Sequence, residues 1–313
     1  MNRFIGYLRL TRLANIVTAV SDILAGAAIA GSLISVIDFN GEHPGRSFIS
    51  QPGIVHQILF LMFATACLYG GGVVLNDVFD AELDKTERPE RPIPSGLISK
   101  NAASIFGSLL LLAGIIAAWL SDPVHVFSLS AWLATSIALA SVIYDKWGKH
   151  NNLLGPLNMG LCRALNLLLG MSVSAYAVYV YWPLALVPMV YIAAITMISR
   201  GEVHGGKKTT LYAAAFLYLL VISAIIYFAF ISRNLLVTLP FLIIFSILIF
   251  PSLKKAIHKP EGPRIGKAVK SGVIALIAMN ASWAAASGEI YFAILILLLL
   301  PLSLFLARLF AVT

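Results

Sequence analysis

Four oxygen-bearing side chains stand at one end of an apolar run: Asn76, Asp77, Asp80 and Asp84. On a helix advancing about 100° per residue they fall within an arc of roughly 100°, while Glu82 and Glu87 lie off it. Such a face, with Arg88 and Arg91 just beyond it, suits a hard divalent cation held between carboxylates and a phosphate. Mg²⁺ fits this donor set, because it takes one or two carboxylates plus water and phosphate oxygens rather than an all-protein cage. The plainer alternative is an acidic helix end, solvated and paired with its own arginines. The apolar surroundings favour the metal, since acids at the edge of a membrane bundle usually mark function.

Three further groups of residues could share that chemistry. Tyr144, Asp145 and Lys149 follow a later apolar run and could hold an anionic or aromatic ligand; an interfacial aromatic with inside-positive lysines would look the same. The stretch Ser199 to Thr209 carries Arg200, Glu202, His204 and Lys207 among three glycines. There the backbone could approach an anion closely, Arg200 and Lys207 could meet phosphate, and Glu202 could share a cation. Asn158, Arg163 and Asn166 lie inside an apolar run, within an arc of about 140°, and so can face a bundle interior. Asn15 and Asp22, seven apart in the first run, share nearly one face. Two readings of these intramembrane groups stay open: a structural Asp22–Arg163 ion pair, or a polar-lined cavity.

The elements that must position these groups follow from composition. The 313 residues are 59% hydrophobic and 12% charged, with a mean hydropathy of +0.90. No water-soluble surface can be built from that, so the expectation is one all-α integral membrane domain over 1–313. About 20 apolar residues cross a bilayer core as a helix. Ten candidate spans meet that measure: 13–36, 54–77, 101–120, 126–145, 153–174, 179–199, 211–232, 235–253, 268–287 and 290–310. The eighth, which is short, and the ninth, which contains Asn280, are the weakest. None shows the alternation of a membrane barrel. Cys67 and Cys162 both sit in apolar runs and imply neither a disulfide framework nor a metal cluster. The amino-terminal apolar stretch is too long for the h-region of a signal peptide.

Loop charge sets an expected orientation. Of the 22 lysines and arginines, only Arg46 and Arg233 fall on the side of the first loop, and Arg163 lies within a span. The rest fall on the other side, which the positive-inside rule makes cytoplasmic, with both termini. The net charge of +8 is therefore topological and argues for anionic headgroups rather than nucleic acid. The long polar loops 78–100, 146–152 and 200–210 share this side, so a pocket should open there.

With these residues in view, the chain resembles the UbiA superfamily of intramembrane aromatic prenyltransferases over almost its whole length. The superfamily's first signature, NDxxDxxxD, stands unbroken at Asn76, Asp77, Asp80 and Asp84, and RPIPSG follows from Arg91 to Gly96. LTRLANIVTAVSDILAG, GPLNMGLCRALNLLLG and ISRGEVHGG look like the narrower UbiA-like branch called EboC, of bacterial ebo-type gene clusters. The resemblance implies about nine or ten transmembrane helices around a central cavity in a bacterial inner (cytoplasmic) membrane. It also implies Mg²⁺-dependent transfer of a prenyl group from a polyprenyl diphosphate to a hydrophobic or aromatic acceptor. Asp77, Asp80 and Asp84 would hold the metal with Asn76, and Glu202 would share it. Asp145 or Glu202 would take the acceptor's proton, and Tyr144 would face the allylic cation. Arg88, Arg91, Lys149, Arg200, His204, Lys207, Asn15, Asn158, Arg163 and Asn166 would contact substrate.

Two departures stand out. The second acidic motif aligns Ile198 where the superfamily has its first aspartate and Glu202 at its second, so half of a second metal site is missing. In the YxxxK element, Gly148 stands where lysine is expected and Lys149 follows it. The Ile198 replacement favours a second expectation, a catalytically degenerate isoprenoid- or lipid-binding or transport protein on the same fold; the intact first motif argues against it. The intramembrane CDP-alcohol phosphotransferases are excluded by the absence of their DGxxAR signature, and soluble isoprenyl synthases by composition.

Overall fold

The structure, a computed structural model, describes residues 3–39, 53–122, 128–151, 154–202 and 205–309, the backbone alone for 33–39 and His150. Among these residues it is all helical. A short amphipathic helix α1 (Arg3–Leu10) leads into α2 (Leu13–Phe39), α3 (Ile54–Phe79), α4 (Ala81–Glu87), α5 (Lys100–Leu120) and α6 (Leu129–Lys146). Then come α7 (Leu154–Met171), α8 (Ala175–Tyr181), α9 (Leu186–Ser199), α10 (Lys208–Ile231), α11 (Leu235–His258), α12 (Gly262–Ala286) and α13 (Ile290–Leu309).

Each expected span corresponds to a helix. Among the described residues eight segments are long and apolar enough to cross a membrane on length and composition; the one that matches the sixth expected span is α8 and α9 joined by the 3-10 turn Trp182–Ala185. The fourth and fifth spans, α6 and α7, fall outside that group because each is only 18 residues and α6 ends in Asp145 and Lys146 while α7 carries Arg163. The two helices pack against each other and against α3 and α2. The ninth expected span is secure: α12 is buried through Leu276–Ala286, and Asn280 has partners there.

Consecutive long helices pack side by side, and α13 and α3 both close onto α2, so the bundle forms a ring. Helix α2 also crosses the interior to touch α7 and α12. That seam divides the core into a cluster among α3, α5 and α6 and a larger one among α9 to α13. At the α2–α7 crossing a Cβ at Gly26 would stand 2.4 Å from the Leu167 carbonyl oxygen, and one at Gly170 2.5 Å from that of Ile23. Two glycines face to face let the backbones touch, as expected where lipid gives helices no hydrophobic reason to associate. This close crossing brings Asp22 and Arg163 within reach of each other.

The loops at one end of the ring are tied together. Arg200 Nη2 donates to the Asn151 carbonyl at 2.6 Å, and the Gly206 N–H donates to the Pro260 carbonyl at 3.1 Å. This end also collects the Asp-bearing end of α3, and the site lies under it.

Candidate active site

The acidic face is one continuous helical surface despite a bend. Asp80 closes α3 and opens α4, yet the i to i−4 bonds run through it: the Asp80 N–H donates to Asn76, Asp84 to Asp80 and Arg88 to Asp84, at 2.8–2.9 Å. Asp77 and Asp84 are therefore turned inward, at 6% and 3% exposure. They do not point into open water.

Cations already sit on all three aspartates. Arg91 Nη1 bridges Asp84 (2.7 Å) and Asp77 (3.2 Å), and Arg12 Nη2 donates to the same Asp77 oxygen at 2.9 Å. Lys149 pairs with Asp80 and leans towards Asn76 Oδ1 at 3.4 Å. Two carboxylates within reach of one guanidinium nitrogen offer hard oxygens to a single positive centre, which is the donor chemistry Mg²⁺ takes. As they stand, no three acidic, histidine or cysteine side chains converge on one point among the described residues.

Lys149 reaches Asp80 because the chain tightens into a 3-10 turn at Gly148–His150. A side chain at 148 would start 3.1 Å from Asn158 Nδ2 and would require Asn158 to give way, and it is the next residue, Lys149, that reaches the acid. Asn158 itself serves α6: with its amide turned to satisfy both ends, it donates to the Ala140 carbonyl and accepts from the Tyr144 N–H, each at 3.2 Å. It ties α7 to the end of α6.

Below the acids lies a cavity of about 240 Å³ between α2, α3, α6 and α7. Asn76, Tyr144, Asp145, Arg163 and Asn166 line it, together with Tyr69. Asp145 is 4% exposed, and its Oδ2 has no hydrogen-bond partner. Deeper, Asp22 Oδ2 accepts from Arg163 (2.5 Å) and Asn166 (2.8 Å), and Oδ1 accepts from Asn280 (2.7 Å). Arg163 also donates to Thr18, and Thr65 donates to Asn166. Both open readings of these residues hold together. The Asp22–Arg163 pair is structural, and its outer edge is the cavity floor.

Other expected residues lie apart. Asn15, Arg88, Arg91 and Glu202 line a second cavity of about 420 Å³ between α2, α12 and α13, on the far side of Arg12. Burial lifts the Glu202 carboxyl above its ordinary range, and the positive charge of Arg88 works against that. Arg200 and Lys207 line a third cavity of about 310 Å³ with Gly201, Gly205 and Gly206. His204 lies outside the described residues. Ile198, at the missing acidic position, is 2% exposed and packed in the core.

Sequence reasoning missed Arg12, Tyr69, Thr65 and Asn280 as parts of the site. Arg12 carries a weak sign: it holds a left-handed φ of 49° in the break between α1 and α2, a costly conformation for a non-glycine residue. In the sequence it is one more inside-positive arginine.

The sequence profile described as the UbiA prenyltransferase family matches residues 45–261. This chain belongs to the UbiA prenyltransferase family. The match covers the acidic face, the Tyr144–Lys149 segment and the Gly-rich loop of this UbiA-family protein. Curated relatives include digeranylgeranylglyceryl phosphate synthases. That of Saccharolobus solfataricus is 33% identical over 164 residues, 52% of this chain and 50% of that protein. That of Pyrococcus horikoshii is 37% identical over 116 residues, 37% of this chain and 38% of that protein. The chain thus spans about half the length, or less, of these relatives. A solved structure described as giving insight into a digeranylgeranylglyceryl phosphate synthase in membranes shares the fold, with a TM-score of 0.62 at 21% identity over 92% of this chain and 99% of that one. These relatives bear on the family as a whole and not on the EboC-like branch. The family, the apolar helices and the shared fold make this a multi-pass membrane protein.

Proposed function

We propose that this protein is an Mg²⁺-dependent intramembrane prenyltransferase, moving a polyprenyl group from its diphosphate to a hydrophobic or aromatic acceptor. The observation that carries this reading is the inward-turned Asp77–Asp80–Asp84 face at the mouth of a cavity that holds an unpartnered carboxylate. Asp77, Asp80 and Asp84 would hold the metal with Asn76, and bound there it would neutralise the departing diphosphate. Lys149, Arg12 and Arg91, which these acids now hold, are placed to turn to phosphate oxygens. The allylic C–O bond breaks and pyrophosphate leaves. Tyr144 and Tyr69, which line the cavity, would offer aromatic rings to the positive carbon, an attraction that strengthens away from water. The acceptor's nucleophilic atom forms the new bond to that carbon and gives its proton to Asp145. Asp145 is favoured over Glu202 as base because it lines the same cavity as Tyr144, whereas Glu202 lies beyond Arg12. Polar loops and both termini are read as cytoplasmic, in a bacterial inner membrane.

The test is pyrophosphate release by purified protein in lipid nanodiscs, from labelled geranylgeranyl diphosphate with a panel of aromatic acids and phenols. Mg²⁺-dependent release that disappears in Asp80→Asn is the expected result. Unchanged turnover in Asp80→Asn would overturn the mechanism. A second reading, binding or transport without turnover, is favoured by Ile198 and by the cations seated on every aspartate of the face. It predicts that the diphosphate binds and no acceptor releases pyrophosphate.

A further inference from the structure

The groove between α10 and α11 shares no lining residue with the three cavities described above. These two helices meet less closely than α11 and α12 do, and the space they leave is about 1170 Å³. One stripe on each helix walls it. Lys208, Tyr212 and Ala215 follow a single face of α10, and Ile247, Phe250 and Lys254 a single face of α11. Both stripes change character along their length. Tyr212 and Ile247, at 60% and 64% exposure, leave apolar surface open at the deeper end. Lys208, Lys254, Lys255 and His258 crowd the end beside the loops, where α10 starts and α11 finishes. Among the described residues none of these lysines forms an ion pair, and no carboxylate lines the groove. Arg264 at the rim is already met by Glu261, at 3.5 Å.

From this arrangement we infer that the outer groove between α10 and α11 is a docking site for an anionic bilayer phospholipid. The lysines meet its headgroup, and an acyl chain lies down the groove along Tyr212, Phe250 and Ile247. Lysines that converge from two helices with no acid among them leave charge that the protein does not meet. At a membrane surface the anion within reach is a lipid headgroup. The apolar floor below the lysines selects a ligand with a tail, because a free anion or an acidic peptide has nothing to bury there. A lipid held on both stripes also bridges two helices that touch each other sparsely. None of the residues given to the prenyl-transfer reaction takes part, so the inference stands whether or not that reaction does.

Native mass spectrometry of the full-length protein in detergent, titrated with dioleoyl phosphatidylglycerol or dioleoyl phosphatidylcholine, tests this. Phosphatidylglycerol should bind at least about tenfold more tightly than the zwitterionic lipid. Each of Lys208→Gln, Lys254→Gln and Lys255→Gln should weaken it about fivefold, as for one lysine near an anionic surface, and the triple variant should lose the preference. Lys100→Gln removes the same charge at the start of α5 and should leave binding unchanged. Glycerol phosphate, the headgroup without tails, should bind at least about tenfold more weakly than the lipid. Equal binding of the two lipids by wild-type protein would overturn the inference. So would a triple variant that keeps the preference while its helical content and melting stay native. A loss in Lys100→Gln as large as in the groove variants would mean diffuse charge rather than a site. Binding of a hexaglutamate peptide, with no binding of phosphatidylglycerol, would hand the groove to a protein partner and equally end the proposal.

Discussion

Asp22 is fully buried and Arg163 nearly so, and each spends its hydrogen-bonding capacity on the other and on Thr18, Asn166 and Asn280. A pair this dry is held by mutual satisfaction, so removing one partner strands a charge. Asp22→Ala should destabilise the protein by roughly 3–5 kcal/mol, while the double replacement Asp22→Leu with Arg163→Met should cost much less; thermal melts in detergent compare the two. Glu289 gives a pH-dependent test at the opposite end of the bundle. Half-buried in the turn before α13, it has its carboxyl lifted above the ordinary range by burial. A carboxyl whose folded pKa is raised favours folding while protonated. Its contribution is complete below the unfolded value of about 4.3 and is lost as pH rises through the folded value. Glu289→Gln should therefore melt higher than wild type at pH 7–8, with the gap closing near pH 4. At this scale the sequence was most legible where chemistry is dense. The Asn76–Asp84 spacing predicted a single face, and the bonds running through Asp80 keep it single. Arg12 was not legible, because one arginine before a span looks like any other until the fold sets it against Asp77, 65 residues away.

Among elements, the α2–α7 crossing decides where the polar interior sits. Gly170 admits no Cβ without moving the α2 backbone, so Gly170→Ala should cost about 1–3 kcal/mol as an overpacking change and loosen the neighbouring Asp22–Arg163 contact. Gly266, in α12, has open space where a Cβ would go. Gly266→Ala should be neutral or stabilise by about 0.5–1 kcal/mol through helix propensity. The sign difference between two glycine-to-alanine changes, read by melting, isolates packing from propensity. Helix positions were readable from apolar length, since a bilayer imposes one length on every span. Contacts between helices were not, because pairing depends on where small residues face one another, and a membrane sequence is rich in small residues everywhere. The 3-10 turn at Gly148–His150 is a similar case. In the sequence a lysine one residue late resembles a broken motif, whereas in the fold the tighter turn brings Lys149 back to Asp80.

For the whole molecule, the alternation of long helices puts the starts of α2, α5, α7, α10 and α12 at the same end as the finishes of α3, α6, α9, α11 and α13. The acidic face, Arg12, Arg91 and Lys149 gather at that end, and so does nearly all the loop charge. The positive-inside rule then makes a prediction about the membrane as well as the fold: this end faces the cytoplasm. Impermeant maleimide labelling can decide it in a background where Cys67 and Cys162 are replaced by serine, because these are the two native cysteines. Glu90 and Arg233 are exposed and sit at opposite ends of the bundle. Glu90→Cys should label in inverted vesicles and stay protected in sealed cells, and Arg233→Cys should do the reverse. Labelling of both from one side would break the ten-helix alternation itself. Labelling of each from the opposite side would keep the fold and invert the membrane. In that case the acidic mouth would face away from the cytoplasm, and a diphosphate substrate made there could not reach Asp77 and Asp80 without first crossing the bilayer.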